Sequence, residues 1–170
     1  VAEMSSFQIE SLKELRSQVG VWTTFTPDHL NRHHTLDNYF EIKASLLERV
    51  EIQIINGDDD NLRSRLGVTQ RFPNALWTSV NGKEALPANP NRGVYIEDGW
   101  AIAQGEPIVP VQALKMVGEH NYQNLLMAIA AARGLGLGRE AIAKAVEGFP
   151  GVPHRLEWVV SWQGVPFIND

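Results

Sequence analysis

The chain has 170 residues, 44% of them hydrophobic, and a formal net charge of −5. That is enough apolar material for one core of ordinary size, and a mildly acidic chain without a basic run is not built around nucleic acid or an anionic membrane as its main partner. Cysteine is absent, which excludes a disulfide framework, a thiolate nucleophile and a cysteine zinc site, and accords with a reducing cytoplasm.

The first residues, Val1-Ala2-Glu3-Met4-Ser5-Ser6-Phe7, contain no basic segment followed by an apolar one, so they do not read as a signal peptide. No apolar stretch reaches the roughly 18–20 residues that a membrane span needs. Both ends read as cut: Val1-Ala2 as the middle of a strand, and Val165–Asp170 as a strand with no sequel.

Val19 to Phe25 and Glu51 to Asn56 read as strands, with a helix from Leu36 to Val50 between them. That β-α-β order predicts an α/β sheet with crossover helices. From Asn74 to Val111 the pattern changes. The turn pairs Asn81-Gly82 and Asp98-Gly99 separate short β runs such as Gly93–Ile96 and Trp100–Ala103, which predicts hairpins at the sheet edge or in a small subsheet. Two helices follow, near Asn121 to Arg133 and Arg139 to Glu147, with Gly148 as a stop. Pro150-Gly151-Val152-Pro153 is the best linker candidate. A last hairpin, Leu156–Trp162 and Val165–Ile168 around Gln163-Gly164, would open a further domain.

One residue breaks the pattern. On the Leu36–Val50 helix, Leu36, Tyr39, Phe40, Leu46, Leu47 and Val50 share a face at helical spacing, and Lys43 stands in the middle of it. In one reading Lys43 lays its methylenes on the core and keeps its amine in water. In the other, burial disfavours the ammonium and leaves a neutral amine. Such an amine is a nucleophile, and it can also take up carbon dioxide to become a metal-binding carbamate. The loop before the helix supplies companions: Asp28, His29, His33 and His34 follow a strand, where open α/β sheets bind ligands. Thr35 is placed to cap the helix. No His-x-x-x-His zinc spacing is present.

Together these residues resemble the Mur ligase family. Glu3-Met4-Ser5-Ser6-Phe7-Gln8-Ile9-Glu10 is similar to its E-x-S-S-F-Q-L-E segment, and Thr26-Pro27-Asp28-His29-Leu30-Asn31-Arg32-His33 to T-x-D-H-L-D-R-H. Asn56-Gly57-Asp58-Asp59 resembles N-A-D-D, and Gly118–Asn124 resembles G-x-H-N-x-x-N. Pro153-His154-Arg155-Leu156-Glu157 and Phe167-Ile168-Asn169-Asp170 resemble P-H-R-x-E and F-x-N-D. The motifs run in family order along essentially the whole chain. The S-S-F-Q and P-H-R-L-E forms favour the D-glutamate-adding branch over sister Mur ligases and folylpolyglutamate synthases.

The resemblance implies a P-loop ATPase-like α/β domain, with a mostly parallel sheet flanked by helices and a small β subsheet, truncated at both ends. Residues 1–152 would be the central ATP-binding domain and 153–170 the start of a C-terminal ligase domain. It implies a cytoplasmic, monomeric enzyme of peptidoglycan synthesis whose partners are ATP, UDP-N-acetylmuramoyl-L-alanine and D-glutamate. ATP would phosphorylate the substrate carboxylate, and the D-glutamate amine would attack the acyl phosphate.

By the same resemblance Glu3 would bind magnesium at the ATP phosphates, and His29 with carbamylated Lys43 would hold a second magnesium. Asn121 and Asn124, three apart at a helix start, would meet the adenine edge. Arg155 would meet phosphate and Asp170 the ribose. Ser5 and Gln8 would touch the sugar-alanine substrate, with structural hydrogen bonding an equal alternative for them. Asn31 stands where the family has Asp, which bears on how His29 is oriented, and Gly57 stands where it has Ala. There is no G-x-x-x-x-G-K-[ST] loop, so the 170 residues alone are expected to be inactive. Two other readings stay open: a sister ATP-dependent amide ligase, and a non-catalytic interaction domain that kept the fold.

Overall fold

The computed structural model describes residues 1–67, 71–116, 118–152 and 157–169. The core is a six-stranded sheet in sequence order: β1 (Ser17–Trp22), β2 (Val50–Asn56), β3 (Leu76–Ser79), β4 (Val94–Glu97), β5 (Trp100–Ala103) and β6 (Glu106–Pro110). β1 to β4 pair parallel, and β4, β5 and β6 pair antiparallel. The helices are α1 (Ser6–Ser11), α2 (Leu30–His33), α3 (Leu36–Leu47), α4 (Asp60–Leu62), α5 (Glu119–Gly134) and α6 (Arg139–Gly148). A separate two-stranded sheet pairs β7 (Glu157–Trp162) with β8 (Val165–Asn169).

Successive residues of the central strands face opposite sides, so each strand serves two cores. Ile55, Trp77, Tyr95 and Ile102 pack with Tyr39, Phe40, Ala44 and Leu47 of α3. Their neighbours Ile54, Leu76, Val94 and Ala101 pack with Leu126 and Ile129 of α5 and Ile142 of α6. Because both faces are covered, these strands read as continuous apolar runs. Among the described residues no helix is long and apolar enough to cross a membrane.

Several boundaries differ from the sequence reading, each for a physical reason. β1 stops at Trp22 rather than Phe25, because the Thr24 hydroxyl and the Phe25 N–H both donate to Asp59, at 2.8 and 2.9 Å, instead of to a ladder. α3 stops at Leu47 rather than Val50. Val50 pairs with Ser17 at the start of β2, and the Arg49 guanidinium donates to the Ser45 carbonyl at the helix end. Val1-Ala2 is not in a strand: residues 1–5 run outside the ladders, and the Ser5 N–H donates to the Gln8 side chain as α1 opens.

The Asp98-Gly99 hairpin forms as expected, with φ of 49° and 77°, the paired positive values of a tight primed turn. Asn81-Gly82 makes no hairpin, since β4 returns parallel to β3. The Asn74–Val111 region lies at the edge of the main sheet rather than in a subsheet of its own. Gln163-Gly164 turns β7 into β8 with φ of 48° and 82°.

Candidate functional site

The parallel strands end in loops that are tied to one another by carboxylates. Asp59 accepts from Thr24 and Phe25 after β1, and its other oxygen caps α4 by accepting the Leu62 N–H at 2.8 Å. Asp58 accepts from the Ser79 hydroxyl at 2.6 Å, the Val80 N–H at 2.7 Å and the Asn81 amide at 3.0 Å. Two adjacent acids therefore stitch the ends of β1, β2 and β3 together. Sequence reasoning recorded the Asn-Gly-Asp-Asp run without this role. Its signal was two acids directly after a strand, where turn backbone groups need acceptors.

A cleft of about 400 Å³ is lined by Glu3, Met4, Ser5, Ser6, Gln8, His29, Tyr39 and Lys43. Glu3, His29 and Lys43, expected together from sequence, thus share one cleft. α1 supplies its floor. Ser5 and Gln8 form a reciprocal cap: Ser5 Oγ accepts the Gln8 N–H at 3.3 Å, and Gln8 Oε1 accepts the Ser5 N–H at 2.9 Å. Both residues line the cleft while holding each other, which supports a structural part for them.

His29 opens α2 in the left-handed region at φ 53°, and its ring sits 3.4 Å from Asp28. Thr35 caps α3 as expected, accepting the Asn38 N–H at 3.1 Å. Lys43 is half-buried on α3 rather than at the centre of the packed stripe, which Ala44 occupies at 0% exposure. Burial holds the Lys43 ammonium below its ordinary pKa, while the carboxylates of Glu3 and Asp28 pull it back up. Burial also raises the Tyr39 hydroxyl, with a further push from Asp28.

Behind the cleft wall, His33 is 1% exposed and shares a 3.0 Å hydrogen bond with the 2% exposed Ser6. Its ring stacks on Tyr39 at 5.3 Å, and its Nδ1 has no partner among the described residues. The sequence grouped His33 with His29 as a loop histidine. The fold separates them, one facing the cleft and one locked behind it.

Asn121 and Asn124 do not line the cleft. They lie in the first turns of α5, which packs on the other face of the sheet. Asn121 is buried and Asn124 exposed. The start of α5 reaches the same end of the sheet, since Gln123 accepts from the Asn56 amide at the end of β2. Arg155 and Asp170 lie outside the described residues, as does Pro153-His154, where the proposed boundary falls.

Glu3 offers magnesium the oxygen donor it favours, while His29 offers an imidazole, a softer donor than that ion usually takes. Among the described residues, however, no three His, Asp or Glu side chains converge as a ready-made metal centre. A magnesium ion at Glu3 would need its remaining oxygen donors from water or a bound ligand.

Residues 1–132 match the model of the Mur ligase middle domain. Over its whole length the chain is 57% identical to UDP-N-acetylmuramoylalanine--D-glutamate ligase of Synechococcus elongatus and 59% identical to the same-named protein of Microcystis aeruginosa. It covers 37% of each, so it spans little more than a third of the curated relatives it matches. Among solved structures it is similar to a pseudomurein peptide ligase type C from Methanothermus fervidus, with a TM-score of 0.70 and 21% identity over 98% of this chain and 41% of that one. It is also similar to MurF from Acinetobacter baumannii, with a TM-score of 0.67 and 21% identity over 97% of this chain and 35% of that one. These two likenesses speak to the fold.

Proposed function

The chain belongs to the Mur ligase family, and from that premise we propose that it is the central part of a cytoplasmic ligase that joins D-glutamate to UDP-N-acetylmuramoyl-L-alanine with ATP. The observation that carries the reading is the meeting of Glu3, His29 and the half-buried Lys43 in one cleft. The choice of D-glutamate leans on the relatives at 57–59% identity. Residues 1–152 would form the ATP-binding domain and 153–170 the start of the next, and the full-length protein would act as a monomer.

The chemistry is the one that the family resemblance implies. The muramoyl-alanine carboxylate attacks the γ-phosphorus of ATP, giving an acyl phosphate and ADP. The amine of D-glutamate adds to the acyl carbon, and the tetrahedral intermediate expels phosphate to leave the amide. Magnesium, when bound, would neutralise charge on the moving phosphoryl group. Glu3 would hold it at the triphosphate, and His29 would hold a second ion.

The uncharged amine of Lys43 adds to carbon dioxide and releases a proton, and the resulting carbamate supplies the oxygen donors that His29 lacks. Burial of Lys43 favours this step by disfavouring the ammonium. Asn121 and Asn124 would receive adenine, Arg155 a phosphate, Asp170 the ribose, and Ser5 with Gln8 the sugar-alanine. The isolated 170 residues, without a triphosphate cradle, would not turn over.

The test is ADP release by the full-length protein with magnesium, ATP and the muramoyl-alanine substrate, comparing D-glutamate with L-alanine, L-lysine and diaminopimelate. Release that depends on D-glutamate supports the reading. Release with another amino acid assigns a sister ligase, and none with any of them removes ligation to muramoyl-alanine as the activity.

A further inference from the structure

Asn56 closes β2, is 3% exposed, and hydrogen-bonds its own turn and two distant segments. Its oxygen accepts the Asp58 N–H at 3.0 Å. Its amide donates to the Thr23 carbonyl at 2.9 Å and to Gln123 Oε1 at 3.2 Å. Two of these partners are backbone groups of fixed polarity, one donor and one acceptor, so they determine which way the Asn56 amide faces. Gln123 then meets an N–H and must present its oxygen.

The two distant segments matter for what they carry. Thr23 begins the stretch that runs from β1 to His29. Gln123 stands between Asn121 and Asn124 in the opening turns of α5. α3, with Lys43, and α5 lie in cores on opposite faces of the sheet. A buried amide with both N–H groups and its oxygen paired is a rigid joint, because loss of a partner leaves an unpaired polar group in a dry setting.

We propose that Asn56, acting through Gln123, is a positioning residue that sets the start of α5 against the loop bearing His29, so that a nucleotide held by α5 lies in register with the cleft. This rests on the reading of α5 as the nucleotide helix given above. Displacements of about 1 Å between a bound group and its reaction partner can cost about 100-fold in rate, so a joint of this kind bears directly on turnover.

The two arms can be cut separately. N56D puts a carboxylate oxygen against the Thr23 carbonyl, which cannot reverse its polarity, whereas Gln123 can turn its amide and donate to the new oxygen. N56D therefore breaks the arm to the His29 loop and keeps the arm to α5. Q123A cuts the α5 arm alone, and Q123E keeps the accepting oxygen.

The experiment is steady-state ligation by the full-length protein, run below the unfolding midpoint of every variant. Q123A raises the ATP KM about five- to tenfold, the size of one lost hydrogen bond, with little change in kcat. Q123E recovers most of that loss. N56D lowers kcat about tenfold or more with little change in the ATP KM. N121A separates the inference from its premise. An unmoved ATP KM in N121A removes α5 as the nucleotide helix. A raised KM in N121A, with Q123A equal to the parent protein, overturns the joint and leaves the premise standing. A lowered unfolding midpoint in Q123A with unchanged kinetic constants also overturns the proposal, by making the contact a fold-holding one.

Discussion

The Lys43 amine lies 5.6 Å from the centre of the Tyr39 ring, one turn earlier on the same helix. Tyr39 is itself 7% exposed and stacked between Phe25 and His33, at 5.2 and 5.3 Å. The lysine is therefore held beside a fixed aromatic wall with its amine at the cleft, a setting that withdraws water from it without enclosing it.

The proposed carbamate on Lys43 makes a specific demand on substitutions. In the full-length enzyme Lys43→Ala is expected to lower the ligation rate about 100-fold or more, the scale of losing a positioned group beside reacting atoms. Added acetate or formate restores part of the rate, because a free carboxylate can occupy the carbamate's place. Lys43→Arg is not restored, since a guanidinium keeps its charge and takes up no carbon dioxide. Rates for each variant with and without the acids check this, and full activity in Lys43→Arg would remove the carbamate from the mechanism.

The depressed pKa of Lys43 also sets a pH dependence of stability. Between the folded-state pKa and the ordinary value of 10.5, the unfolded chain binds a proton at this position that the folded chain does not. Stability from this group thus rises with pH across that window and is lost as pH falls through the folded pKa. Lys43→Met carries no such proton. Its thermal midpoint should exceed that of the parent at pH 7, with a gap that narrows as the pH approaches 10.5. A constant gap across the range would place the effect in packing rather than in charge.

The Ser6–His33 bond lies almost wholly out of water, at 2% and 1% exposure. Ser6→Ala leaves the imidazole without its partner and is expected to cost about 1–3 kcal/mol. Phenylalanine needs no partner, so Ser6→Ala combined with His33→Phe should cost less than the two single changes added together. Hydrogen exchange at the α1 and α2 amides measures this as a local opening free energy. Additive costs would mean that the two side chains do not stabilise each other.

Gly57, at the alanine position of the N-A-D-D motif that Asn56–Asp59 resembles, has little room. A Cβ added there would lie 2.8 Å from the Thr78 carbonyl oxygen and 3.3 Å from Pro87. The Gly57 N–H donates to that same carbonyl at 2.8 Å, so strand ends and turn are already in close approach. Gly57→Ala is expected to destabilise by about 1–3 kcal/mol through forced backbone shifts. An unchanged urea midpoint would show that β3 can move aside freely.

Much of this was legible in the residues themselves. Helical spacing from Leu36 to Leu47 marks α3, the β-branched run to Asn56 marks β2, and Asp98-Gly99 marks a hairpin, because these signals act over a few neighbouring residues. The family motifs also brought Glu3, His29 and Lys43 together before any coordinates did. The end of β1 was not legible, because it depends on Asp59 taking the Thr24 and Phe25 donors across 35 and 34 residues of chain.

The sequence by itself determined most element types and the α/β class, consequences of local pattern, while the cleft's charged residues came from the family motifs it carries. Tertiary structure alone decided which histidine faces the cleft and which is locked behind it. It alone put Ala44 rather than Lys43 at the centre of the packed stripe, and made Asn56 a joint between Thr23 and Gln123. The reason is that burial and hydrogen-bond pairing are fixed by partners far along the chain, 27 residues for Ser6–His33 and 67 for Asn56–Gln123. Such partners become neighbours only once the parallel strands have stacked their crossover helices on opposite faces of the sheet.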